Sequence, residues 1–190
     1  MATRSGPETR TEALRIAVEL FTTQGYEATS LRQIAERLDI SKASLYYHFP
    51  SKADIVRAAL GNRGDEAGQL LAWAQAQPAT PDLLERTVLR WVDALSVDKL
   101  RGIRFANANP ALMRAIADDD PGRGIRDGLE PLAALLAGPG ADARRHLLIR
   151  MAFLSINAAA MAAAGSTATD SEIVDAARAM AASLVATLQL

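Results

Sequence analysis

The stretch from Lys42 to His48 brings an ammonium, a hydroxyl, two phenols and an imidazole together within seven residues. Successive residues of a helix point in different directions, so Tyr46, Tyr47 and His48 cannot all be core aromatics, which is the alternative interpretation. Phosphate oxygens and base edges offer partners to every one of these groups. Residues 41–52 contain two lysines and no acidic residue, which makes the strip locally positive. The pattern predicts a helix that contacts double-stranded DNA.

The preceding residues place this strip in a helix-turn-helix. Apolar residues recur at i, i+3, i+4 and i+7 from Leu31 to Leu38, which indicates a short amphipathic helix. Ser30 and Gln33 are spaced to form a capping box at its start. A turn at Asp39 follows, because Asp tolerates the left-handed backbone conformation better than most residues. Two short helices joined in this way present the second helix to a major groove.

The same residues resemble the DNA-binding motif of the TetR family of bacterial transcriptional regulators. The recognition helix of that motif reads roughly Leu-Tyr-Tyr-His-Phe, followed by Ser or Asn and Lys, as residues 45–52 do here. The similarity extends back to Thr9 and covers about the first third of the chain, whereas the rest matches only in length and helical pattern. One departure is Asp39, where the family usually has Gly.

The resemblance also implies which side chains meet the DNA. Those placed for base edges are Lys42, Ala43 and Tyr46. Those placed for phosphate oxygens are Ser30, Ser44, Tyr47, His48 and Lys52.

Composition predicts an all-α protein. Of the 190 residues, 49% are hydrophobic and only 5% aromatic, and Ala and Leu dominate, which favours helices over sheet. The absence of cysteine excludes a disulfide framework, a thiolate nucleophile and a zinc finger. No enzyme signature or phosphate-binding loop occurs, so we expect no enzymatic activity, no cofactor and no metal. The formal net charge of −1 neither supports nor excludes DNA as a partner.

The N-terminal segment is short and polar, and it lacks the apolar core of a signal peptide. The most apolar run, residues 151–164, is too short to cross a bilayer, which takes about 20 residues. We therefore expect a cytoplasmic protein with no membrane partner.

Breaks in the helical pattern predict two domains. We expect a three-helix helix-turn-helix DNA-binding domain over residues 1–52 and a helical effector-binding and dimerisation domain over residues 53–190. A first helix from Thr9 to Gly25 and a connecting helix over about residues 51–77 are predicted, the latter ending before prolines 78 and 81. Further helices are predicted over residues 82–97, 98–106, 110–117, 122–137, 142–164 and 170–188.

Three glycines, Gly61, Gly64 and Gly68, share one face of the predicted connecting helix. Glycine within a helix costs about 1 kcal/mol relative to alanine, which favours a hinge at this point. Two alternatives remain: the helix ends near Leu60 and the glycines mark a loop, or they admit a neighbouring helix.

Residues 152–164 are apolar nearly all round, whereas a surface helix has one polar face. We expect a second copy of the chain to cover this segment, because family members pair through their last long helices into a four-helix bundle. A two-fold partner also suits a two-half-site operator. The alternative is a central helix of its own domain.

The resemblance further implies a small-molecule effector bound by the C-terminal domain. The candidate ligand-binding residues are Trp73, Trp91, Phe105, Asn107, Met113, Met151, Phe153, Asn157 and Met161. Each has an ordinary core role as its alternative, since Trp and Met at helical spacing usually pack. We expect a repressor that leaves a palindromic operator when a small, largely apolar ligand binds. The rivals are a DNA-binding protein of the same fold without an effector, and an enzyme that uses the C-terminal cavity.

Overall fold

A computed structural model of the chain describes residues 6–60, 63–118 and 125–188. These residues form helices and no strand, which confirms the all-α fold class. In chain order, the described helices are α1 (Gly6–Gln24), α2 (Leu31–Leu38), α3 (Lys42–His48), α4 (Lys52–Ala59), α5 (Arg63–Gln75), α6 (Leu83–Asp93), α7 (Val97–Ala108), α8 (Pro110–Asp118), α9 (Ile125–Ala137), α10 (Ala143–Phe153), α11 (Ser155–Ala162) and α12 (Asp170–Leu188).

The chain divides into two compact units, with boundaries after Gly61, within α7 and within α8. One unit comprises Met1–Gly61 with Arg101–Ile116, and the other comprises Asn62–Leu100 with Ala117–Leu190. The first unit therefore reaches beyond residue 52, the boundary expected from the sequence, and takes in a segment expected in the C-terminal domain. The reason is apolar packing, because Phe105 and Ile116 are buried in the same core as α1, α2 and α4.

In the first unit, α1 packs against α2 and α4, and α2 packs against α3. The apolar stripe predicted from Leu31 to Leu38 is buried, as are Leu45 of α3 and Phe49 immediately after it. Gly25 ends α1 with a φ of 94°, as glycine readily does at a helix end. This core fixes one face of α3 and leaves the opposite face in solvent.

The connecting helix predicted over residues 51–77 is wrong as a single helix. Helix α4 ends at Ala59, where the Leu60 N–H still donates to the Val56 carbonyl at 3.0 Å, and α5 begins at Arg63. Gly61 and Asn62 are both weak helix formers, which accounts for an end at this point. Gly61 itself lies outside the described residues, and Gly64 and Gly68 lie within α5.

In the second unit, α5 packs against α9, and α12 packs against α6, α10 and α11. The helix predicted over residues 142–164 is interrupted at Leu154, whose ψ is 0°. The Trp91 indole N–H donates to the Phe153 carbonyl at 3.0 Å. A side chain thus binds a helix carbonyl directly beside the residue at which the helix is interrupted. The other helices predicted after Pro81 are found within a few residues of their expected bounds; residues 122–124 lie outside the described part.

Candidate nucleic-acid interface

Helix α3 presents the predicted DNA-contacting side chains on one exposed face. Tyr47 is 87% exposed and Tyr46 is 42% exposed, and both Lys42 and Ala43 lie in solvent. The Lys42 Nζ lies 5.3 Å from the centre of the Tyr46 ring. This face offers an ammonium and two phenols without any protein partner burying them, which suits a helix that enters a groove.

The remaining predicted residues of α3 are partly covered. Ser44 is half-buried, and its backbone N–H donates to the Ser41 hydroxyl at 3.1 Å, which caps the helix. His48 is also half-buried, and its ring packs edge-on against Tyr47 with the centroids 5.4 Å apart. The His48 ring thus contacts the Tyr47 ring on one side, while most of the Tyr47 side chain stays accessible.

Ser30 lies at the start of α2, exposed, as the predicted cap. Its hydroxyl accepts a hydrogen bond from the Gln33 N–H at 3.2 Å, and the Gln33 side-chain oxygen accepts one from the Ser30 N–H at 2.7 Å. The capping box predicted from the sequence is thereby confirmed. A helix start with a hydroxyl on its rim is suited to a phosphate oxygen.

The turn between α2 and α3 depends on one residue in the left-handed region. Asp39 has φ 56° and ψ 45°, and it is the one described residue other than glycine with a positive φ. The following N–H, from Ile40, donates to the Ala35 carbonyl at 3.1 Å and closes the end of α2. Asp39 thus takes the conformation that glycine takes more easily, and the turn forms without glycine.

Lys52 does not point at solvent as a free phosphate ligand would. Only 23% of its side chain is exposed, and its Nζ donates to the Tyr26 carbonyl at 2.6 Å. The same ammonium lies 4.3 Å from the centre of the Tyr26 ring and 3.9 Å from a Glu27 carboxylate oxygen. The sequence placed Lys52 with the phosphate-contacting residues, whereas the structure joins it to the α1–α2 loop.

A cation that the sequence did not single out lies at the C-terminal end of α3. The Arg10 guanidinium lies 4.7 Å from the centre of the Phe49 ring, and Arg10 is exposed on α1. The only sequence signal for Arg10 was that it lies in the segment, beginning at Thr9, that resembles the family's DNA-binding motif. Arg10 therefore joins the candidate contact residues.

The predicted ligand-binding residues do not come together. Phe105 and Met113 belong to the first unit, where Phe105 is buried with its ring 5.7 Å from that of Phe21, and Asn107 is exposed. Trp91 and Phe153 are buried together in the second unit with ring centroids 6.2 Å apart. The core role that was the alternative for these aromatic residues is the one their packing supports.

Two open surface hollows occur among the described residues of the second unit, and Trp73 lines one of them. That hollow has a volume of about 610 Å³ and is also lined by Arg86, Leu89, Arg90, Asp93, Ala94 and Arg178. The Arg90 guanidinium stacks on the Trp73 ring at 4.8 Å, and Arg178 pairs with Asp93 at 3.0 Å. The other hollow, of about 480 Å³, is lined by Pro81, Asp82, Leu84, Arg145 and Leu188.

An exposed apolar seam runs along α10 and α11. Its members recur at spacings of four and three residues and are Leu147, Met151, Leu154, Ala158 and Met161. Met161 is 65% exposed and Leu147 is 58% exposed, and several such side chains along one seam form an apolar patch of the kind that marks interaction surfaces. Asn157 beside the seam is half-buried. Met151, Asn157 and Met161, predicted as ligand contacts, thus lie on or beside a surface.

The described residues form neither a metal-binding cluster nor a membrane-spanning helix. No cluster of three or more His, Cys, Asp or Glu side chains there is arranged to hold a metal ion. Within the same residues, no helix combines the length and the apolar character needed to span a membrane.

Residues 13–59 match the family model described as bacterial regulatory proteins, tetR family. Over 46 residues the chain is 44% identical to the biofilm operon icaADBC HTH-type negative transcriptional regulator IcaR of Staphylococcus epidermidis. That similarity spans 24% of this chain and 25% of the IcaR protein, so the chain matches about a quarter of its relative's length. The residues that match the family model lie in the unit that carries α1 to α4.

Two solved structures extend the comparison to the whole fold. A putative TetR-family transcriptional regulator from Mesorhizobium loti superposes with a TM-score of 0.60 at 19% identity, covering 97% of this chain and 98% of its own. A TetR-like transcriptional regulator from a Rhodococcus species gives a TM-score of 0.60 at 24% identity, covering 97% and 96%. At these identities the likeness concerns the fold.

Proposed function

This chain is a member of the TetR family of bacterial regulatory proteins, and from that premise we propose that it is a cytoplasmic transcriptional repressor. In this proposal it binds a palindromic DNA operator as a homodimer and leaves the operator when a small, largely apolar molecule binds its second unit. The negative regulation named for the similar IcaR protein supports the repressor sign.

The exposed face of α3 is the observation that carries DNA binding. Lys42, Tyr46 and Tyr47 project from a seven-residue helix whose other face is anchored by Leu45 and then by Phe49. A short helix anchored on one side can enter a major groove about 12 Å wide without losing its packing. The exposed ammonium and phenols then supply groups for base edges and phosphates.

The apolar seam on α10 and α11 supports the proposed homodimer. Side chains spaced alternately by four and three residues lie along one side of a helix, where they can contact a partner helix, as in left-handed helix pairs. The exposed face of α12 adds small residues, among them Ala176, Ala179 and Ala186, which allow close backbone approach. A second copy that covers both helices would remove Leu147 and Met161 from water and so stabilise the pair.

The hollow at Trp73 is the candidate effector site. It pairs an aromatic ring with three arginines, so it suits a ligand with an apolar body and an acidic group better than a purely apolar one. The rival regulator without a small-molecule effector keeps the same DNA interface and makes no use of this hollow.

Selection of bound sequences from a random DNA pool tests the proposal. We expect an enriched palindrome with half-sites about one helical turn apart or a small multiple of it. Tyr47→Ala is expected to weaken binding to the selected operator, and Tyr47→Phe, the matched control, isolates the hydroxyl. Enrichment of no sequence would contradict the proposal.

Binding of a small-molecule effector is tested by a separate experiment. A small-molecule library is screened for compounds that raise the melting temperature, and each hit is tested for operator release. A compound bound in the hollow should change tryptophan fluorescence in the parent and not in Trp73→Phe, where only the buried Trp91 remains. If no compound shifts the melting temperature or releases DNA, the regulator without an effector is the better account.

A further inference from the structure

We propose that Lys52 is a positioning residue that holds the two ends of the helix-turn-helix together, and that it is not a phosphate ligand. The inference rests on the proposed DNA binding and deepens it. Its basis is the hydrogen bond from the Lys52 Nζ to the Tyr26 carbonyl, 2.6 Å long, between residues separated by 26 positions in the chain.

The segment between these two residues is the whole helix-turn-helix. The chain leaves Tyr26, forms α2 and α3, and returns to Lys52 at the start of α4. A contact between the two ends closes this loop in the folded protein and ties the residues before α2 to the start of α4. Since Ser30 and α3 are built on that loop, their placement depends on the closure.

The ammonium is already engaged by the protein on several sides. Besides the Tyr26 carbonyl, the Glu27 carbonyl lies 3.4 Å from Nζ and the Glu27 carboxylate lies 3.9 Å away. The Tyr26 ring adds a cation–π contact at 4.3 Å. A lysine ammonium has three donors, and the Tyr26 and Glu27 carbonyls take two of them, so the loop uses most of the hydrogen-bonding capacity of Lys52.

The position of Lys52 in its helix supports the same role. It is the first residue of α4, next to the Ser51 cap, where the helix dipole disfavours a positive charge. The Ser51 hydroxyl accepts the Asp54 N–H at 3.1 Å and fixes the helix start, so the direction of the Lys52 stem is set. The loop carbonyl and the Tyr26 ring offset the unfavourable placement.

The salt dependence of operator affinity separates the two roles. Removing one phosphate contact lowers the slope of log K against log salt concentration by about 0.9, hence by about 1.8 in a dimer. We expect Lys52→Met to raise the operator Kd about tenfold with the salt slope unchanged. Lys42→Met, which removes an exposed lysine from α3, is the matched control and should lower the slope.

Two further measurements separate positioning from general destabilisation. Lys52→Met should lower the melting temperature by several degrees and speed amide exchange at residues 27–30. Val92→Ala, a buried change in the second unit, should lower the melting temperature and leave operator affinity unchanged at temperatures where the protein is folded. Lys52→Arg retains a donor for the Tyr26 carbonyl and should recover most of the lost affinity.

A lower salt slope in Lys52→Met, with melting temperature and loop exchange like the parent, would overturn the proposal and make Lys52 a phosphate ligand. If the parent selects no DNA sequence, the proposed function fails instead. The exchange and melting measurements then still decide whether Lys52 holds the loop. Unchanged exchange at residues 27–30 would by itself refute the closure.

Discussion

Gly102 of α7 lies so close to the end of α4 that it leaves no room for a side chain beside Ala59. A Cβ atom on Gly102 would lie 3.0 Å from the Ala59 carbonyl carbon and closer still to its oxygen. Both atoms are backbone, so neither can turn away as a side chain would. The absence of a side chain at residue 102 therefore sets how closely α7 approaches α4 within the first unit.

Gly102→Ala should destabilise the protein because α7 has to move away from α4. Overpacking of a close contact typically costs about 1–3 kcal/mol, and here it opposes the gain of about 1 kcal/mol that alanine brings inside a helix. We expect a lower free energy of unfolding by urea. Gly68→Ala in α5, where a Cβ meets no atom within 4 Å, is the control and should stabilise by about 1 kcal/mol. Equal effects of Gly102→Ala and Gly68→Ala on the free energy of unfolding would show that α7 can move away from α4 at no cost.

Asp39→Gly should stabilise the turn of the helix-turn-helix. The left-handed conformation costs most residues about 1–2 kcal/mol, whereas glycine adopts it freely but loses more entropy on folding. Because Asp is among the more tolerant residues, we expect a gain below about 1 kcal/mol, seen as a higher melting temperature with unchanged operator affinity. Asp39→Ala, which cannot use a polar side chain locally, is expected to destabilise. If Asp39→Gly lowers the melting temperature, the carboxylate has a role beyond the turn.

Local features predicted the elements around the interface well. The capping box at Ser30 and the four-residue apolar stripe of α2 follow from periods and caps, which act within a few residues, and the structure confirms both. The turn at Asp39 was equally predictable, since few residues other than glycine tolerate its backbone angles.

Contacts between distant residues explain what the sequence did not predict. The interruption at Leu154 accompanies a hydrogen bond from Trp91, which lies 62 residues before its acceptor Phe153. The role of Lys52 depends on the Tyr26 carbonyl, and a backbone acceptor leaves no residue-type signal. Phe105 was placed with the effector site, although its ring packs on Phe21 from the first helix.

Met161→Glu should dissociate the proposed homodimer without unfolding the monomer. The side chain is 65% exposed in the single chain, so a carboxylate there is hydrated in the monomer and becomes buried only when a partner covers it. Two such charges enter a symmetric interface, and burying an unpaired charge is costly, so we expect the dimer Kd to rise at least about a hundredfold. Sedimentation equilibrium measures this. Val97→Glu, another half-exposed apolar position, should leave the dimer intact, and a parent that sediments as a folded monomer would contradict the interface.

Ionisation of the Tyr26 phenol should make the first unit less stable at alkaline pH. Burial raises the pKa of its phenol above the ordinary value of 10.0, and the nearby Glu27 carboxylate acts in the same direction, against an opposing effect of Arg57. A group whose pKa is higher in the folded state contributes stability fully below pH 10.0 and loses it as pH rises through the folded pKa.

We therefore expect the free energy of unfolding to fall more steeply in the parent than in Tyr26→Phe as the pH rises above 10.0. Near pH 8, where the phenol is neutral in both states, the two proteins should differ little in this pH dependence. Phe keeps the ring that Lys52 contacts, so the comparison isolates the ionising hydroxyl. Urea unfolding across this range tests the prediction, and parallel curves for the two proteins would show that the Tyr26 phenol ionises as easily in the folded chain as in the unfolded one.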